Sequence, residues 1–144
     1  MTRHFGRRMT VWLLAATLCA PGLVASAAPT DYRFDPIAST IERGVGVAIR
    51  IEVRERTQNR PVPSVEFRDS RVDRSSDGLP AAVLPAFFEP SLEYGVYRFR
   101  ADLPTDGNWT LTFTAIIPGE PQPVTGSVGF QVTGPRPASA GGGP

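Results

Sequence analysis

Residues 45–53, VGVAIRIEV, decide how this chain folds. Val45, Val47, Ile49, Ile51 and Val53 fall on one side of a period-two pattern, with Gly46, Ala48, Arg50 and Glu52 on the other. Such alternation marks a β-strand with one dry face and one wet face. The signature returns downstream. Trp109, Leu111, Phe113, Ala115 and Ile117 stand against three threonines. Val124, Val128, Phe130 and Val132 form another inward set, and Tyr97, Phe99, Ala101 and Leu103 alternate with Arg98, Arg100 and Asp102. Shorter strands are expected at Tyr32–Phe34 and Val65–Phe67.

Turn signals separate these runs: Asn59-Arg60-Pro61, Asp77-Gly78, Asp106-Gly107-Asn108 and Pro118-Gly119. Helical periodicity is absent beyond the N-terminal segment. The expected fold is all-β, an antiparallel immunoglobulin-like β-sandwich of about seven strands. Glu93-Tyr94-Gly95-Val96-Tyr97 has the spacing of a tyrosine corner, in which a hydroxyl bonds back to upstream backbone. Trp109, first inward residue of its strand, is expected to plug the core.

The N-terminus reads as a secretory signal over residues 1–27. Arg3, Arg7 and Arg8 precede the apolar run Val11–Ala20, and Ala25-Ser26-Ala27 supplies small residues for cleavage after Ala27. The apolar run is too short to span a bilayer and stops at Pro21-Gly22, so no stable membrane anchor is expected after cleavage. Cys19 follows Leu18, where a lipidation signal wants a small residue. Residues 28–133 then form one domain, and 134–144 (GPRPASAGGGP) a Pro/Gly-rich tail expected to be disordered. A periplasmic or secreted location follows.

Cleavage has a chemical consequence. His4, Met1, Met9 and Cys19 all lie in the leader, and every basic residue of the chain is arginine. The remaining domain lacks histidine, cysteine, methionine and lysine. It cannot form a disulfide, and it lacks the usual general bases, thiol nucleophiles and soft-metal ligands. Removing three arginines leaves twelve against fourteen acids, a net charge of −2 in place of +1. With no basic run, nucleic acid is not an expected partner.

The remaining chemistry is sparse. Ser39, Ser64 and Ser91 have no histidine with which to build a triad. Gly44-x-Gly46 precedes a strand rather than a helix, which is not a nucleotide fingerprint. Asp69, Asp73 and Asp77 recur every four residues, a pattern unlike a calcium loop, and Arg68, Arg71 and Arg74 compete for them. A solvated, charged loop is the expectation there, within a mixed-sign surface from Arg54 to Arg74. No catalytic residue, metal ligand or cofactor is expected, and the protein is not expected to be an enzyme.

Residues 78–90, GLPAAVLPAFFEP, stand apart. Pro80, Pro85 and Pro90 argue against a central strand, yet Leu79, Val83, Leu84, Phe87 and Phe88 are too apolar to lie free in water. The segment is expected to be an irregular crossover or edge piece. Leu84, Phe87 and Phe88 are its candidate partner-binding residues.

Over residues 32–132 the chain resembles the small periplasmic β-sandwich family of YtkA-like and FixH-like domains. The resemblance is carried by Tyr32-Arg33-Phe34, Pro61–Phe67, Asp77-Gly78, Tyr94–Pro104, Gly107–Leu111, Pro118-Gly119-Glu120 and Thr125–Phe130. It implies a non-enzymatic accessory or interaction module of an envelope heavy-metal (copper) transport or haem–copper oxidase maturation system. Its partner would be an envelope protein, such as a metal-efflux or oxidase-assembly component. Relatives often place methionine or histidine around the Asp-Gly. Here the loop reads Asp73–Ala82 with neither, so a thioether or imidazole copper site does not carry over. A direct periplasmic copper carrier and a structural or adhesive module remain the alternatives.

Overall fold

The computed structural model describes residues 31–135. The leader, Cys19 and the tail beyond Pro135 lie outside the described residues. Nine strands follow in order: β1 Tyr32–Pro36, β2 Thr40–Glu42, β3 Gly44–Glu55, β4 Arg60–Pro61, β5 Glu66–Arg74, β6 Leu79–Glu89, β7 Val96–Leu103, β8 Gly107–Ile116 and β9 Val124–Thr133. A 3-10 turn, Ser75–Asp77, joins β5 to β6. The described residues are almost entirely β, in keeping with the alternating pattern.

The strands form one curled sheet in the order β1-β3-β7-β6-β5-β8-β9-β2, with β4 paired to β3. Every pairing is antiparallel except that of β2 with β9, which is parallel. The count exceeds the expected seven because β2 and β4 are pieces of three and two residues, too short to show a period. Both halves of the sheet feed one core. Ile49, Ile51 and Val53 of β3, Phe99 and Leu103 of β7, Trp109, Leu111 and Phe113 of β8, and Val128 and Val132 of β9 are all buried in it. Phe67 is the hub of its aromatic part, with ring centroids 4.9–5.4 Å from Phe88, Tyr97, Phe99 and Phe113.

Three expectations need correction. Val45 does not join its inward neighbours but is 90% exposed. The register slips between Gly44 and Val47, and Gly46 takes φ +61°, a conformation open to glycine, so the alternation restarts at Val47. The expected strand Val65–Phe67 is the start of a longer one: the charged residues 69–74 that follow are not a loop but the rest of β5, with Val72 and Asp73 buried. Residues 79–89 are likewise a strand, β6, rather than an irregular segment. Its first part pairs with β5 (Val72↔Leu84, Arg71↔Pro85) and its last part with β7 (Ala86↔Ala101 to Glu89↔Arg98). Pro85 therefore sits where the strand passes from one half of the sheet to the other, a place that can spare a ladder donor.

The strands define two poles. The chain enters at Tyr32 beside the β3–β5 connection and the β6–β7 and β8–β9 turns; it leaves after Thr133, opposite, beside the β5–β6 and β7–β8 turns.

Candidate functional site

At the entry pole, two prolines and a buried phenol shape a fixed ridge. Tyr97, on β7, donates its hydroxyl to the Val62 carbonyl (2.7 Å) and accepts from the Val65 amide (3.0 Å). Val62 itself donates to the Val53 carbonyl. The segment Pro61–Val65 is thereby tied to two strands, with Ser64 held at φ +58°. The hydroxyl bonds back to upstream backbone as expected of a tyrosine corner, and acts as a latch because that backbone lies more than thirty residues away. Gly95 packs under it: a Cβ there would meet Pro61 Cβ at 2.6 Å.

The ridge borders a cleft of about 450 Å³ whose lining includes Tyr32, Glu55, Arg60, Pro61, Pro63 and Tyr94. Tyr94 is 68% exposed and Leu92, in the same turn, fully so. The Tyr32 hydroxyl donates to Glu120. Burial, then that bond and the fields of Glu120, Glu55 and Asp31, push the Tyr32 phenol up to about 12. Arg60 lies 3.3 Å from Glu55. Sequence reasoning took this pole for turns and missed the cleft; the only signal was Pro61-Val62-Pro63 together with the Tyr94–Tyr97 spacing.

The candidate partner residues divide between two places. Leu84 is half-buried and packs on the core, while Phe87 is 64% exposed. With Pro85, Gly46, Arg100 and Asp102 they line a shallow cleft of about 210 Å³ on the outer face. Phe87 pairs across the sheet with Arg100 and faces outward with it. Phe88 pairs with Phe99, and its ring lies 5.7 Å from that buried ring, yet it keeps 38% of its surface exposed at the rim of the entry pole. Beside Phe87 the charges are fixed. Glu89 accepts from Arg100 (2.7 Å) and Arg98 (2.8 Å), and these guanidiniums, Arg100 foremost, hold its carboxyl below the usual range.

The three regularly spaced aspartates are drawn apart. Asp69 sits at φ +52° where the β5 register shifts. Asp73 is buried and accepts from the Ser75 amide and hydroxyl. Asp77 accepts from Arg74 (2.8 Å), the Asn108 amide (2.9 Å) and the Asn108 side chain (2.8 Å). Arg74 first, then Asn108, lower its carboxyl to about 2. Asp77 thus ties the β5–β6 turn to the β7–β8 turn at the exit pole. Among the described residues, no three His, Cys, Asp or Glu groups are gathered as a metal site.

No family model and no curated protein sequence matches this chain. Among solved structures, the ZirS C-terminal domain is similar with a TM-score of 0.45 at 12% identity, over 92% of this chain and 87% of that one. The Lin-41 filamin domain gives 0.40 at 12% identity, over 72% of this chain and 92% of that one. The titin M3 domain gives 0.33 at 16% identity, over 70% of this chain and 95% of that one. Likenesses of this strength carry neither an activity nor a partner across to the present chain, whose reading rests on its own surfaces.

Proposed function

We propose that this chain is an exported, non-enzymatic interaction module on an immunoglobulin-like β-sandwich, periplasmic or secreted after loss of residues 1–27. In this reading it serves as an accessory to an envelope heavy-metal transport or haem–copper oxidase maturation system. The observation that carries the interaction role is Phe87. It is a large aromatic side chain 64% exposed beside Leu84 and Pro85, with Arg100 and Glu89 already committed to each other alongside. An apolar residue offered within a neutralised polar frame suits protein contact, where aromatics supply most of the binding energy. The choice of envelope system comes from the resemblance across residues 32–132.

The test replaces Phe87 with a photo-crosslinking residue in the chain as exported by its own host. Crosslinks to an efflux or oxidase-assembly component, abolished by Leu84→Asp, are the expected result. Crosslinks to surface or matrix proteins instead would favour the adhesive module, a reading supported by the two terminal strands β1 and β2 of the sheet. Copper titration of the domain separates the third reading. Tight 1:1 binding would make it a carrier and overturn the accessory role.

A further inference from the structure

We propose that the entry-pole cleft receives the Pro135-Arg136-Pro137 segment of a second copy of this chain, so that copies associate head to tail. This goes beyond the Phe87 surface and uses none of its residues.

The cleft has the wall composition that proline-rich segments dock against. Exposed Tyr94 stands next to a ridge of Pro61 and Pro63 that the Tyr97 latch holds in place. Alternating prolines fix φ near −65° and favour an extended left-handed helix, which seats on aromatic and proline surfaces at small entropic cost. The charges are complementary as well. Glu55 lines the cleft, Glu120 accepts the hydroxyl of Tyr32, itself a lining residue, and Asp31 and Glu55 bear on the same phenol. Two guanidiniums accompany them, and both are engaged: Arg60 with Glu55, and Arg56 with the Tyr32 carbonyl. Glu55 and Arg60 of the lining pair with each other, and among the described residues neither Asp31 nor Glu120 beside the phenol is in an ion pair, which leaves acid there for Arg136, the one arginine of the tail.

Reach decides which copy supplies it. The tail departs from Thr133 at the exit pole, and β9 has ten residues, so the cleft lies about 30 Å back along the strand. Arg136 is three residues past Thr133 and reaches only about 10 Å. It cannot enter its own cleft. A contact that joins unlike surfaces of identical chains propagates instead of stopping at a dimer, unless it closes into a ring.

The experiment is sedimentation velocity on the chain lacking residues 1–27, at concentrations up to about 1 mM, the weak end of specific binding. Expected are concentration-dependent species larger than a dimer, weakened at least tenfold by Arg136→Glu and by Tyr94→Ala, and unchanged by Phe87→Asp. Arg136→Glu changes no residue of the described strands. A monomer throughout, or association that survives Arg136→Glu, overturns the proposal. So does association lost in Phe87→Asp and kept in Tyr94→Ala, a result that would leave the Phe87 surface standing.

Discussion

The two poles solve one problem with opposite chemistry. Each must fasten turns contributed by strands distant in sequence. At the exit pole the fastener is a carboxylate, Asp77, which gathers Arg74 and both the backbone and side chain of Asn108. At the entry pole the fasteners are phenols, Tyr97 on Val62 and Val65, and Tyr32 on Glu120. A carboxylate works only when ionised and a phenol donates only when neutral, so the poles should fail at opposite ends of the pH scale. They also differ in what they leave outside. The phenols point inward and leave Tyr94 and Leu92 in solvent, making the entry pole the open one.

The strongest challenge to this contrast is Trp109→Ala. The indole is fully buried and donates to the Thr105 carbonyl beside the β7–β8 turn. Its loss should cost about 3–5 kcal/mol in chemical denaturation; a cost near zero would mean that the exit pole does not rest on the core. Tyr97→Phe should cost about 1–3 kcal/mol by leaving the Val65 amide without its acceptor, while Asp77's turn stays ordered in hydrogen exchange.

Titration sharpens the contrast further. The Tyr32 phenol is raised from about 10 to about 12, so its contribution is complete below pH 10 and fades as pH climbs toward 12. Tyr32→Phe should remove that alkaline slope. The Asp77 carboxyl is lowered from 3.8 to about 2, so its contribution is complete above pH 4 and fades as pH falls toward 2. Asp77→Asn should reduce the acid slope, leaving the part that Glu89 and Glu52 contribute, and leave the alkaline one untouched. The smallest effect belongs to Phe87→Asp, away from both poles. Thermal unfolding should place it within about 0.5 kcal/mol of the parent, since the side chain is already mostly in water.

Sequence legibility followed burial. Strands β7, β8 and β9 show unbroken alternation, and their inward residues are those the period names. Only the start of β5 is legible, as the strand expected at Val65–Phe67, because EFRDSRVDR shifts register at Asp69 and beyond it turns mainly Val72 and Asp73 toward the interior. β6 was hidden by its prolines, which are harmful in a continuous ladder and harmless where a strand changes partners. Of the candidate contact residues, Leu84 and Phe87 share a surface, whereas the half-exposed Phe88 lies elsewhere, with its ring against Phe67 and Phe99. The entry cleft was illegible for a different reason: its walls come from three separate connections and the start of β1, and no local pattern encodes their meeting.

Because β6 is bonded to β5 along its first part and to β7 along its last, neither half of the barrel-like sheet owns a complete set of strands. Melting one half strips the other of a neighbour. The domain should therefore unfold in a single all-or-none transition, with calorimetric and van't Hoff enthalpies in agreement. A backbone cut near Pro85 should abolish refolding far more thoroughly than a cut in any turn.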